Sequence, residues 1–146
     1  LYEEYGEALF EKLDGMYAIA LWVEDEKKLI LARDLQGEKP LYYNLLSDTE
    51  VAFSSEIQSL TQFPGLNLEL NSQSIWDLPT FTWIPQPETI FTSILSLENG
   101  QILIADERGI KKRWIKNTFS AEVNFANEDD MDCKNRGRPK GWRKNS

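Results

Sequence analysis

Met16-Tyr17-Ala18-Ile19-Ala20-Leu21-Trp22-Val23 is the longest uninterrupted apolar run in the chain. It shows no apolar–polar alternation, the pattern of a strand covered on both faces. The charged stretch Glu24-Asp25-Glu26-Lys27-Lys28 then makes a solvated turn, and Leu29-Ile30-Leu31-Ala32 returns as a second buried strand. The pair predicts a hairpin at the centre of a sheet. Eight apolar residues are too few to cross a bilayer, which takes about 20 in a helix. No basic-then-apolar leader precedes the run, so no secretory segment is expected.

Upstream of the run, apolar residues at Leu1, Tyr5, Ala8, Leu9 and Leu13 alternate with Glu3, Glu4, Glu7, Glu11 and Lys12. That spacing predicts an amphipathic helix of about three turns with one buried stripe, stopped by Asp14-Gly15. Downstream, Leu41–Leu45 and Val51–Phe53 read as a third and a fourth strand across the polar turn Ser47-Asp48-Thr49. Ser54 or Ser55 before Glu56 marks a helix start, with Ile57 and Leu60 facing inward and Phe63-Pro64-Gly65 as its end. Asn71 is placed to cap a further short helix through Leu78. Pro79, Pro85 and Pro87 are expected to prevent regular structure until Thr89. Gln101–Ala105 and Lys111–Ile115 form a last hairpin across Asp106-Glu107-Arg108-Gly109. Strands, short helices and strands again predict an α+β domain layered over the buried hairpin. The pattern fades near Asn117, and residues 117–146 read as an acidic, then basic, flexible tail.

Composition narrows the chemistry. The chain has 146 residues, no histidine and a single cysteine, Cys133. Ser-His and Cys-His nucleophile pairs, imidazole metal ligands, an intrachain disulfide and a Cys-x-x-Cys zinc site are therefore excluded. No metal site is expected, and the sparse cysteine usage points to the cytoplasm. Residues 1–132 hold all 24 acidic residues and ten basic ones, a net of −14, while the last 14 residues hold six basic residues and no acid. An acidic body repels nucleic acid and anionic membrane, so only the tail is suited to either. Within that tail Arg136-Gly137-Arg138-Pro139 resembles an AT-hook, whose arginines fit the narrow minor groove of A·T-rich DNA. Attached to so acidic a body, it stands as an alternative reading, and nucleic acid is not the expected partner.

Four blocks in order carry a resemblance. Leu13-Asp14-Gly15-Met16-Tyr17-Ala18-Ile19-Ala20-Leu21-Trp22 and Leu31-Ala32-Arg33-Asp34-Leu35-Gln36-Gly37-Glu38-Lys39-Pro40-Leu41-Tyr42-Tyr43 are the first two. Phe53-Ser54-Ser55-Glu56-Ile57-Gln58-Ser59-Leu60 follows, and then Pro87-Glu88-Thr89-Ile90-Phe91 with Ile94, Leu97, Gly100 and Arg113-Trp114. Together they resemble the C-terminal part of the glutamine amidotransferase domain, of the N-terminal-nucleophile class, in asparagine synthetases. The resemblance covers residues 1–116 and implies a four-layer αββα sandwich, present here as a partial domain. Its motif residues Arg33, Asp34, Gly37, Lys39, Pro40, Ser55 and Glu56 are expected to be structural. Arg33 and Asp34, opposite charges leaving a buried strand, are expected to pair with each other.

The resemblance also implies what lies elsewhere. The family's nucleophile is a cysteine at the first position of the mature chain, with its own α-amine as base. That cysteine, the oxyanion donors and the residues that hold glutamine all match positions upstream of Leu1, so no catalytic or substrate-binding residue is assigned here. The opening at Leu1 is then expected to reflect an incomplete domain, with this piece inactive alone. Cys133 lies beyond the matched region without a histidine base, and is expected to be an incidental thiol. ATP and magnesium are expected only in a downstream synthetase domain, where aspartate would be activated. The expected partners are glutamine, the missing N-terminal half and that synthetase domain. An inactive amidotransferase-like scaffold, or a homodimer through an exposed sheet edge, is the remaining alternative.

Overall fold

Seven strands in the computed structural model, which describes residues 1–116, form two antiparallel sheets. The tail features singled out above (Cys133 and Arg136-Gly137-Arg138-Pro139) lie outside the described residues. In the first sheet β1 (Ala18–Val23), β2 (Lys28–Arg33), β6 (Gln101–Asp106) and β7 (Gly109–Trp114) follow one another in space. In the second, β3 (Tyr42–Leu45) lies between β4 (Val51–Ser54) and the two-residue β5 (Leu95–Ser96).

Side-chain alternation sends residues 30 and 32 of β2 to one face and 29, 31 and 33 to the other. The first set joins Phe10, Ile102, Ile104 and Ile115 in a core under the N-terminal segment. Leu31 instead meets Leu41, Tyr43, Leu97, Leu103 and Ala105, so the second core fills the space between the sheets. A third core, Ala52, Leu60 and Ile94 with Ile57 beside them, packs α2 (Ile57–Thr61) on the far face of the second sheet. Gln101–Ala105 and its return strand pair as the sequence predicts, with Asp106 opposite Gly109 and the Asp106 Oδ1 accepting from the Arg108 amide at 2.8 Å.

Four readings change. β2 is central, but β1 is the edge of its sheet and starts at Ala18, not Met16. Ile19, Leu21 and Val23 pack on the first core, whereas Ala20 and Trp22 on the opposite face are exposed. The opening helix is a four-residue α1 (Tyr2–Tyr5) followed by a 3-10 helix, Gly6–Glu11. Gly6, at φ 55, breaks the α-helical path; a left-handed residue cannot continue it. The anchor is consequently Phe10, 1% exposed, while Leu1, Tyr5 and Ala8 face solvent.

The third change concerns α3 (Ser72–Phe81), which runs through Pro79 instead of stopping at Leu78. Asn71 does cap it, its Oδ1 accepting from the Gln73 and Ser74 amides at 3.1 and 3.2 Å. Pro79 cannot donate to a carbonyl one turn back, but it sits in the closing turn, where few helical bonds remain to be lost. The Thr80 hydroxyl donates to the Trp76 carbonyl at 2.9 Å, and Thr82 ends the helix in the left-handed region. The fourth change is β5, in a stretch after Thr89 to which the sequence reading assigned no element; two residues are too short to show a period.

Lys28 fastens the N-terminal segment to the hairpin. Its ammonium is 3.3 Å from Glu7 and 2.6 Å from Glu26, above the Tyr2 ring. Burial alone would lower its pKa, but hydrogen bonds with Glu26, Tyr2 and Glu7 outweigh that and raise it. Arg113 grips the same Glu7 from β7, its Nη2 donating to the Glu7 carbonyl at 3.0 Å. Lys28→Met keeps the aliphatic stem and removes only the charge. It is expected to cost about 1 kcal/mol, because both carboxylates are partly solvated. A raised ammonium pKa gives stability that is complete below the ordinary 10.5 and lost only above it. Urea unfolding of the variant should therefore show the same deficit throughout the neutral pH range.

Candidate functional site

Residues 33–40 are where β2 leaves the sandwich and turns into β3, and there the motif residues converge. Arg33 is 6% exposed and Asp34 fully buried, yet they do not pair with each other. Consecutive strand residues point to opposite faces, so the expected ion pair is replaced by two separate networks. Arg33 follows Leu31 toward the second sheet. Its Nη1 donates to the Ser96 hydroxyl at 3.1 Å and the Leu97 carbonyl at 2.6 Å, and its Nη2 to the Gly37 carbonyl at 2.6 Å. Its Nε is buried without an acceptor among the described residues. The guanidinium thus joins β2, the turn and β5 through neutral oxygens.

Asp34 sits inside the turn as an acceptor. Its Oδ1 receives the Gln36 and Glu38 amides at 3.1 and 3.0 Å, and its Oδ2 receives the Lys39 and Tyr17 amides at 3.2 and 3.4 Å. Burial on its own would raise the carboxyl pKa, but the amides of Glu38, Lys39, Tyr17 and Gly37 outweigh it and lower the pKa. The same negative charge, after burial, raises the Tyr17 phenol. Backbone amides around one carboxylate do here what a side-chain cation does in an ion pair.

The turn is closed from outside by Glu98-Asn99-Gly100, which precedes β6. The Gly100 amide donates to the Asp34 carbonyl at 2.8 Å, and Asn99 Nδ2 donates to the Gln36 carbonyl at 3.1 Å. Gly37 has φ 69, and a Cβ there would lie 1.8 Å from Asn99 Oδ1. Only glycine meets both the left-handed backbone and the close approach of Asn99. Gly100 was part of the quoted blocks, but Asn99 and Ser96 were not. Their contacts span 63 residues of chain, and neither lies in a local pattern.

The other motif residues stand apart from this network. Lys39 and Pro40 are exposed, and Lys39 contributes only its backbone amide. Ser55 and Glu56 are exposed at the start of α2, where the Ser54 hydroxyl accepts from the Glu56 amide at 3.2 Å. Thr89 organises the approach to β5, donating to the Ile94 carbonyl at 2.6 Å and accepting from the Phe91 amide at 3.2 Å.

Chemically, the site is a brace. The Asp34 carboxylate is taken up by backbone amides and the Arg33 guanidinium mostly by carbonyls, and the site contains no histidine or cysteine. No group of three or more His, Cys, Asp or Glu side chains among the described residues is arranged to hold a metal ion. No helix among them is long and apolar enough to cross a membrane.

Comparison with known proteins places this geometry in context. Residues 1–116 match the family described as the glutamine amidotransferase domain. The chain is 41% identical over 127 residues to asparagine synthetase [glutamine-hydrolyzing] 2 of Bacillus subtilis (strain 168), covering 78% of this chain and 16% of that protein. It is 33% identical over 99 residues to asparagine synthetase [glutamine-hydrolyzing] 1 of the same organism, covering 68% of this chain and 15% of the relative. Amidase chry2 of Gibberella zeae is 34% identical over 104 residues, covering 71% and 15% respectively. The chain thus spans about a sixth of the length of these relatives.

Proposed function

The chain belongs to the glutamine amidotransferase domain family, and from that premise we propose that it is the C-terminal part of the glutaminase domain of an asparagine synthetase-like enzyme. In the intact parent, glutamine would be hydrolysed and its ammonia passed to ATP-activated aspartate. The observation that carries this reading is the brace at residues 33–40, with Asp34 held by four backbone amides. Such a turn holds a strand end rigid, and its buried side chains, Arg33 and Asp34, are held by the chain around them. Arg33, Asp34, Gly37, Lys39, Pro40, Ser55 and Glu56 therefore take structural parts, and the nucleophile is assigned to a cysteine on the upstream half.

The proposed architecture of the whole domain is the four-layer αββα sandwich of the N-terminal-nucleophile class. Three stacked cores, one on each outer sheet face and one between the sheets, support it. So does the edge position of β1, whose Ala20 and Trp22 are bare on a strand with an apolar sequence throughout. An upstream half that pairs with the β1 edge and extends the second layer over that face would cover them. Residues 1–116 form the glutaminase part in this reading and 117–146 a separate tail. ATP and magnesium fit no group of described residues here and belong to the adjoining synthetase domain, which also sets the ammonia acceptor.

The test is the chain itself with glutamine. No glutamate release above the protein-free rate is expected. An electrophilic glutamine analogue is expected to leave the intact mass unchanged. Turnover, or an adduct on Cys133 or on the Leu1 amine, would overturn the assignment.

A further inference from the structure

Asn99-Gly100, which closes the brace from outside, is the one Asn-Gly pair in the chain. The pair is reactive by its chemistry. A glycine nitrogen has no side chain of its own residue to shield it, and the amide carbon of the preceding asparagine lies one ring closure away. The fold holds the two groups apart. The Gly100 amide donates to the Asp34 carbonyl and the Gly100 carbonyl accepts from the Ile115 amide, both at 2.8 Å. Asn99 Nδ2 is engaged by the Gln36 carbonyl at 3.1 Å. The Gln101 amide donates to the Glu98 carbonyl at 3.0 Å, and Gly100 has φ 66, the marks of a type II turn. The first central residue of such a turn takes ψ of about +120°, which turns the Gly100 nitrogen away from the Asn99 side chain. Gly100 is buried, whereas Asn99 is exposed to water.

We propose that Asn99 is a hydrolytic modification site, kept as the amide by the closed brace and converted to aspartate or isoaspartate when the Glu98–Gln101 turn opens. Once the Gly100 amide leaves Asp34, solvent base removes its proton. The nitrogen attacks Asn99 Cγ, the Cγ–Nδ2 bond breaks, and ammonia departs with a proton returned from water. Water then opens the resulting succinimide at either carbonyl. The net reaction uses one water and exchanges the side-chain amide for a carboxylate, with no other reactant. Neither product fits the brace. A carboxylate cannot donate to the Gln36 carbonyl, and the isoaspartyl form adds a methylene to the backbone of the turn, so the opening becomes permanent. Local opening suffices, because a single hydrogen bond from an exposed side chain holds Asn99 in place. The inference is independent of the glutaminase reading.

Peptide mass mapping of the chain incubated at mildly alkaline pH tests it. Conversion at Asn99 should run at least about tenfold faster in fully unfolding urea than in the folded chain. Gly37→Ala, whose Cβ displaces Asn99, should speed conversion in the folded chain at least about threefold. Lys28→Met, at the other end of β2, should leave the rate unchanged. If Gly37→Ala does not fold, wild type in urea below its unfolding transition takes its place, and conversion there should rise before the circular dichroism signal falls. Equal rates in the folded and unfolded chain, an Asn99 that stays an amide in urea, or a Lys28→Met chain accelerated as much as the loosened brace would each overturn the proposal.

Discussion

Asp34→Ala is expected to destabilise the fold by about 3–5 kcal/mol, enough to unfold a domain of ordinary stability. The reason lies in the count of donors. Four backbone amides end on its two oxygens, and truncation leaves them directed into a site where the lost carboxylate was fully buried. Asp34→Asn separates charge from shape. The amide keeps one acceptor oxygen for two of the four donors and turns its own N–H groups toward the other two. A loss close to that of alanine is therefore expected. Acid supplies an independent check. A folded-state pKa held below the ordinary 3.8 gives stability that is complete above that value and is lost as pH falls through the lowered one. Denaturant melts of the wild type should therefore weaken below about pH 4, and the asparagine variant, if it folds at all, should lack this part of the acid response.

Gly37→Ala should cost about 2–3 kcal/mol, from two separable sources. A Cβ at φ 69 is strained wherever it lies, and here it also falls 1.8 Å from Asn99 Oδ1. The exposed Asn99 can swing away, giving up its hydrogen bond to Gln36. In an Asn99→Ala background the same substitution should cost only the backbone share, about 1–1.5 kcal/mol. Chemical denaturation of the four proteins in this cycle gives the coupling directly. Additive costs would show that Asn99 does not set the shape of the turn.

How much of this was legible beforehand depends on how local the signal was. The β6–β7 hairpin and the Asn71 cap are short-range patterns, and they read correctly. The Met16–Val23 run was read as doubly covered because its composition lacks alternation, yet in the described residues only one face of its outer half is covered. At the N-terminus the heptad-like spacing was real, but Gly6 overrode it and moved the anchor to Phe10. The Arg33–Asp34 pairing failed on a rule the sequence already contained: neighbours on a strand face apart. Ser96 and Asn99 could not have been found locally, because each meets the turn only after the second sheet has formed. The family motif thus marked the brace, while the partners that complete it emerged from the fold.

The most direct test of the account is to refold this chain together with a separately produced upstream half that begins with cysteine, and to follow glutamate release from glutamine. Release is expected only from the mixture. It should vanish when that cysteine is replaced by serine, and fall sharply when this chain carries Asp34→Asn. Glutamate release from the chain alone, or from the mixture without the cysteine, would contradict the assignment of residues 33–40 as the brace of a glutaminase whose reactive thiol is on other polypeptide.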